Sequence, residues 1–178
     1  LIAILDSYTD HNLAAFSEVW VHSKGMPHVR FEREATTLRI TQSDIYCRDL
    51  VWQERFQCRA ILADGSSKDI DVRLSSKEQC YTLPNGVVAV LPNSDGRGYG
   101  LFIPDKESMA WIIKNFSAIA DDTTRESLII CLNECYRWEI LDARTWLNLL
   151  VAALPTEHNA LIASTMCSFL TSPMLRIA

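Results

Sequence analysis

At Pro104 the spacing of apolar residues changes from about two to about 3.6 and does not change back, so the chain cannot fold as one uniform layer. Upstream, Val29 and Phe31 alternate with charged neighbours in HVRFER (28–33). Leu38, Ile40 and Gln42 alternate with Thr37, Arg39 and Thr41. Phe56, Cys58, Ala60 and Leu62 continue the pattern to Asp64-Gly65, a strong hairpin dipeptide, and Ile70, Val72 and Leu74 mark the return. Shorter pieces surround Tyr81 and cover 87–91 and 99–103. Roughly seven short strands with a turn signal about every ten residues predict an antiparallel β-sandwich.

Downstream, 107–119 reads as a helix with Met109, Ile112, Ile113 and Phe116 inward. TTRE (123–126) reads as a capping box in which Thr123 caps a helix through Leu128, Ile129, Leu132 and Tyr136. Asp142 is placed to cap a third helix containing Trp146, Leu149 and Leu150. Pro155 breaks the chain, and Thr156 is predicted to cap a fourth through Leu161, Ile162, Met166 and Phe169. Joins this short make antiparallel hairpins, as in an α-solenoid or a bundle. Before the strands, residues 1–23 read as helix with Leu13, Phe16, Val19 and Trp20 on one stripe, ended by Gly25 and Pro27. The predicted fold is multi-domain α+β: an N-terminal helix (1–26), a sandwich (27–105) and helical hairpins (106–178). Trp20, Gly25, Pro27 and Pro104 stand at the junctions.

Charge sets further bounds. The net charge of −5 offers no electrostatic hold for nucleic acid or an anionic membrane. Cys47, Cys58, Cys80, Cys131, Cys135 and Cys167 lack the clustering of a disulfide framework, and buried free thiols are expected. No apolar run approaches the ~18 residues that span a bilayer. LIAIL (1–5) lacks a basic leader and meets Asp6 at once, unlike a signal peptide. The chain begins without Met and in mid-pattern, which is read as a segment of something longer.

The stretch LPNSDGRGYGLFIP (91–104) puts three glycines in seven residues between two apolar runs. A phosphate cradle needs a helix directly after the loop, and here a strand is predicted. Turn geometry is the reading for Asn93, Asp95, Gly96 and Gly98. His11, His22, His28 and His158 form no pair at metal-binding spacing. Cys131 and Cys135, one helical turn apart, would need further ligands such as His158 and Cys167, and read as core. No serine sits in a nucleophile elbow, and Asp69, Asp71, Asp121 and Asp122 read as solvated strand and cap residues. Trp20, Trp52, Trp111, Trp138 and Trp146 are dispersed, which favours packing over a stacking platform; a protein- or glycan-binding surface stays open. No catalytic or metal residue is assigned.

The order of NLAAFSEVW (12–20), GMP (25–27), LRITQ (38–42), Trp52 and LPNSDGRGY (91–99) resembles the zinc aminopeptidases related to aminopeptidase N and leukotriene A4 hydrolase. In that family a helix ending the catalytic domain is followed by a glycine-x-proline lead-in to a sandwich, a strand closing on glutamine, and an asparagine-to-glycine-tyrosine segment leading into a helical domain. Gly100, Leu101 and Phe102 depart from the pattern, and the usual proline near Trp52 is missing. The resemblance implies that 1–26 closes a catalytic domain and that the rest is scaffold. The partners it implies are that upstream catalytic domain and a peptide substrate. The family's zinc, its His-Glu-x-x-His helix, its Gly-x-Met-Glu-Asn strand and its oxyanion tyrosine match no position here. No cofactor is therefore expected in this segment, zinc is expected upstream, and the chain alone is expected to be inactive. Some relatives use a helical-domain arginine to receive the peptide C-terminus; Arg125, Arg137 and Arg144 are the residues available.

Overall fold

The strands fall where the two-residue period ends and restarts. In the computed structural model, residues 4, 6–8 and 13–174 are described, with side chains to residue 171. Most of the first half of the helix predicted at 1–23 lies outside them, as do 175–178. Helix α1 (Leu13–Ser17) continues as one π-helical turn (Glu18–His22). Strands β1 (Pro27–Glu34), β2 (Thr37–Asp44), β3 (Glu54–Leu62), β4 (Ser67–Leu74), β5 (Glu78–Thr82), β6 (Val87–Leu91) and β7 (Leu101–Ile103) follow. The helices after them are α2 (Lys106–Asn115), α3 (Asp122–Arg137), α4 (Ala143–Ala153) and α5 (Ala160–Met174).

Two sheets form, in the orders β5-β2-β1-β7 and β4-β3-β6. The alternation in each strand sends one face inward: Val29, Phe31, Leu38, Ile40, Phe56, Cys58, Ala60 and Val72 are all buried. Phe31 from one sheet and Phe56 from the other meet at 6.4 Å, and Phe102 touches both at 6.3 and 5.1 Å, so the sheets stack through an aromatic trio. The α+β architecture of sandwich-like sheets and helices is as predicted, with one difference. Strand β7 pairs with β1 in parallel. It also begins at Leu101, not Tyr99. The 92–100 segment carries the chain from one sheet to the other, and such a crossover, unlike a hairpin, can deliver a parallel strand.

The long predicted helix at 107–119 divides into α2 and a 3-10 turn (Phe116–Ala118). Two caps differ from expectation. Asp121, not Thr123, caps α3 by accepting from the Thr124 N–H at 3.1 Å. Asn159, not Thr156, caps α5 by accepting from Leu161 N at 2.9 Å, because Pro155 draws Thr156 into a 3-10 turn where its hydroxyl donates to Ala153 O. Asp142 caps α4 as predicted. Helices α3, α4 and α5 pack on one another, with Tyr136 stacked on Trp146 and Trp146 against Phe169. Leu161 faces out at 71% exposure, so the buried stripe of α5 is Ile162 and Met166.

Two polar nodes join the helices to the sheets. Arg33 grips Asp105 with two bonds of 2.9 and 3.1 Å; Asp105 also caps α2 through Ser108, whose hydroxyl accepts from Val90 N. Arg59 reaches Asp69 at 2.7 Å and Asp121 at 3.2 Å. The expectation of buried thiols holds for Cys58, Cys131 and Cys135 only. Cys47 sits in the turn after β2, and it, Cys80 and Cys167 are exposed. All six thiols are free.

Candidate functional site

The residues of the 93–100 loop line a cleft against α3, and a separate cleft lies beside α1. Asn93 takes a left-handed conformation (φ 47°) and closes the loop on itself: its Oδ1 accepts from Gly98 N at 2.7 Å and its Nδ2 donates to Gly98 O at 3.1 Å. Asp95 accepts from Gln57 N at 3.0 Å, and Ser94 N donates to Gln57 O, which fastens the loop to β3. Gly96 N donates to Asn93 O, the closing bond of the turn. Gly98 is required by close approach: a Cβ there would stand 2.6 Å from Phe102 Cζ and 3.2 Å from Glu54 Oε2. The four predicted turn residues are therefore together and serve turn geometry.

The first cleft, about 750 Å³, lies between α1 and the ends of β3 and β4. Leu13, Phe16 and Trp20 form one wall, Val51 and Leu74 the other, and Glu54 contributes a carboxyl. Trp20 meets Trp52 edge-on at 5.0 Å and Tyr99 at 6.1 Å. Trp52 in turn donates from its backbone N to Gln42 Oε1 at 2.8 Å, so a glutamine two residues before the end of β2 holds this corner. Among the other junction residues, Gly25 (φ 110°) has no room for a Cβ, which would lie 2.7 Å from Ile45 Cγ2. Pro27 opens β1, and Pro104 is buried ahead of α2.

Sequence reasoning missed Glu54. Only 9% exposed, it accepts from Tyr99 N at 2.9 Å through Oε2, while buried Oε1 has no partner. Burial pushes its pKa up to about 7 despite the Tyr99 bond. The signal was present: Glu54 occupies an inward position of the series Phe56, Cys58, Ala60, where a carboxylate has no place unless it is held for a purpose or kept neutral. Asp44, also missed, is buried at the end of β2; the Arg48 guanidinium, bonded at 2.7 and 2.8 Å, holds it well below the usual carboxylate range.

The second cleft, also about 750 Å³, lies between the loop and α3, with Tyr99, Ile130, Cys131, Glu134, Arg137 and Trp138 on its walls. Along α3 a line of donors faces it and the sandwich: Thr124 Oγ1 to Ser94 O at 3.0 Å, Ser127 Oγ to Asn93 O at 2.6 Å, and Cys131 and Cys135 Sγ to Phe102 O at 3.0 and 3.4 Å. The Cys135 thiol, then burial, hold Cys131 well above the usual thiol value, so the Cys131 thiol keeps its proton and donates. Among the described residues no group of three or more His, Cys, Asp or Glu is arranged to hold a metal.

Arg125 is fully engaged, with Glu157, Asp122 and the carbonyls of Ile119 and Ala120. Arg137 pairs with Glu134, and Arg144 is exposed. Asp69, Asp71, Asp121 and Asp122 serve as expected, in surface pairs and a cap. The walls of the two clefts carry aromatic rings, guanidinium groups and the carboxyls of Glu54, Asp95, Glu126 and Glu134. No family model matches the chain, and no curated protein matches it. Among the described residues no helix is long and apolar enough to cross a membrane.

Proposed function

We propose that this chain is the non-catalytic scaffold of a zinc-dependent aminopeptidase, whose metal centre lies in an upstream catalytic domain and which removes N-terminal residues from peptides. The observation that carries the reading is the order helix, two-sheet sandwich, packed helices, with each resembling segment at a junction of that order. GMP (25–27) leads into β1, Gln42 near the end of β2 accepts from Trp52 N, and LPNSDGRGY (91–99) makes the crossover that ends beside α3. Within these segments Gly25 and Gly98 have no room for a side chain, and Gln42 makes hydrogen bonds to Ser76 O and Trp52 N. In this role the sandwich backs the catalytic domain and the helices wall a substrate chamber. Of the three arginines, Arg144 keeps a free guanidinium among the described residues, while Arg125 is spent on internal bonds.

The test is to determine the coding sequence upstream of Leu1 and to express it joined to this chain. The expected result is a His-Glu-x-x-His helix, bound zinc, and hydrolysis of aminoacyl-p-nitroanilides by the joined protein but not by the 178-residue chain. An upstream sequence without the motif, or peptidase activity of the chain by itself, defeats the proposal. The first cleft also favours a second reading, a module that binds protein or glycan, because Phe16 and Trp20 present aromatic surface beside polar groups.

A further inference from the structure

The outward face of the β3–β4 pair carries three successive cross-strand pairs, and only two of them match. Arg59 stands opposite Asp69 and bonds it at 2.7 Å. Gln57 stands opposite Asp71 and donates to it at 2.9 Å. Arg55 stands opposite Arg73. Like charges directly opposed weaken a sheet, and the chain has 22 acidic residues to 17 basic ones from which to supply a partner. Among the described residues neither guanidinium has one. Both line the first cleft, on the side across from Phe16 and Trp20, and Gln53 and Ser75 lie on its rim.

We propose that this cleft binds an acidic peptide segment, its carboxylate bridged by Arg55 and Arg73 and an adjoining apolar side chain laid against Phe16 and Trp20. Charge selects the ligand: two forked guanidinium groups side by side match the two oxygens of a carboxylate, and binding removes the repulsion between them. Size selects a peptide over a bare anion. A cavity of about 750 Å³ lies in the range of organic-ligand pockets, and its apolar wall gives a carboxylate alone nothing to hold. Gln53 and Ser75 supply the donors and acceptors that peptide amides require. Arginine and tryptophan together are also the residues that carry binding energy at protein interfaces. The inference stands independently of aminopeptidase parentage.

The probe is N-acetyl-Gly-Phe-Asp-Gly-amide, titrated into the ¹⁵N-labelled chain with the Trp20 indole and the Arg55 and Arg73 amides as reporters. The comparison peptide has Asn in place of Asp, and inorganic phosphate is titrated separately. The expected result is shifts at all three reporters, and affinity lower by about tenfold or more for the Asn peptide and for the Arg55→Gln/Arg73→Gln variant. Phe16→Ala should weaken binding with the charge intact. Both arginines are exposed, so the double variant should keep its fold, with a melting temperature equal to or above that of the wild type. No binding of the acidic peptide at millimolar concentration overturns the proposal, as does equal affinity for the Asn peptide or an unaffected double variant. Phosphate binding as tightly as the peptide marks a bare anion site and overturns the peptide assignment.

Discussion

The interior of the sandwich and the seam between sandwich and α3 are closed by opposite means. Between the sheets, Phe31, Phe56 and Phe102 meet ring to ring. At the seam, hydroxyls and thiols of α3 reach out to carbonyls of Asn93, Ser94 and Phe102. The cause is the crossover. A loop that passes from one sheet to the other leaves carbonyls outside any ladder, and burying them without donors would cost free energy. Helix α3 provides those donors from one stripe, Thr124, Ser127, Cys131 and Cys135, spaced to share a face. Apolar packing is tolerant of direction; the seam is not. The two regions should therefore respond differently to substitution.

The largest effect belongs to the interior. Phe56→Ala removes a ring that touches both Phe31 and Phe102 and leaves a void, and should cost about 3–5 kcal/mol by urea unfolding. A cost below about 1 kcal/mol would mean that the sheets collapse onto the gap and are not locked by the trio.

Next comes Glu54, which sits where interior and loop meet. Folding raises its pKa from 4.5 to about 7, so the folded chain binds this proton more tightly than the unfolded one. The stabilisation is complete below about pH 4.5 and is lost as pH rises through about 7, a change on the order of 3 kcal/mol. Glu54→Gln should flatten that dependence between pH 5 and 8 and make the variant the more stable form at pH 8. Equal slopes for the two proteins in urea unfolding across that range would show that the Glu54 carboxyl is better solvated than its burial implies.

Thr124→Val tests the seam without opening a cavity. The residue is fully buried, its shape is kept, and only the bonds to Ser94 O and from Arg59 are lost. The expected cost is about 1–3 kcal/mol, the penalty for stranding a buried carbonyl. Amide exchange at Gly96 and Gly98 should quicken before the sheets open. A neutral outcome would reduce the seam to ordinary apolar contact.

The interior was far more readable from the sequence than the seam, for the same physical reason. Alternation in 28–42 and 56–74 records which face of each strand is apolar, and that pattern is local. The parallel pairing of β7 depends on a crossover between sheets, which no local pattern encodes. The cap of α3 shows the difficulty closely. In Asp121-Asp122-Thr123-Thr124 every residue is a competent cap, and a capping box favours Thr123. Arg59, 62 positions away in sequence, draws Asp121 into place, and Ser94 O takes the Thr124 hydroxyl. The first cleft was only half legible: the stripe Leu13, Phe16, Val19 and Trp20 predicted an apolar face, but the arginines that oppose it come from the outward positions of β3 and β4. Nothing in their local pattern links those positions until register pairs them.

The smallest effect separates the two sides of the seam most finely. Glu139, after α3, and Asn93, in the loop, both adopt left-handed backbone, at φ 59° and 47°. Glycine enters that region without the crowding an L side chain suffers, although it adds freedom to the unfolded chain. At 139 the side chain makes no bond, while the backbone does the work: Ile140 N and Leu141 N both donate to Cys135 O, at 2.9 and 3.1 Å. Glu139→Gly keeps that geometry and should stabilise by a few tenths to about 1 kcal/mol. At 93 the side chain makes two bonds to Gly98 that hold the crossover closed, so Asn93→Gly, at nearly the same φ, should destabilise by about 1–2 kcal/mol. Thermal unfolding of the pair decides the matter by sign alone. If both substitutions stabilise, backbone strain outweighs side-chain hydrogen bonding on the loop side as well, and the directional character assigned to the seam does not extend to the loop that creates it.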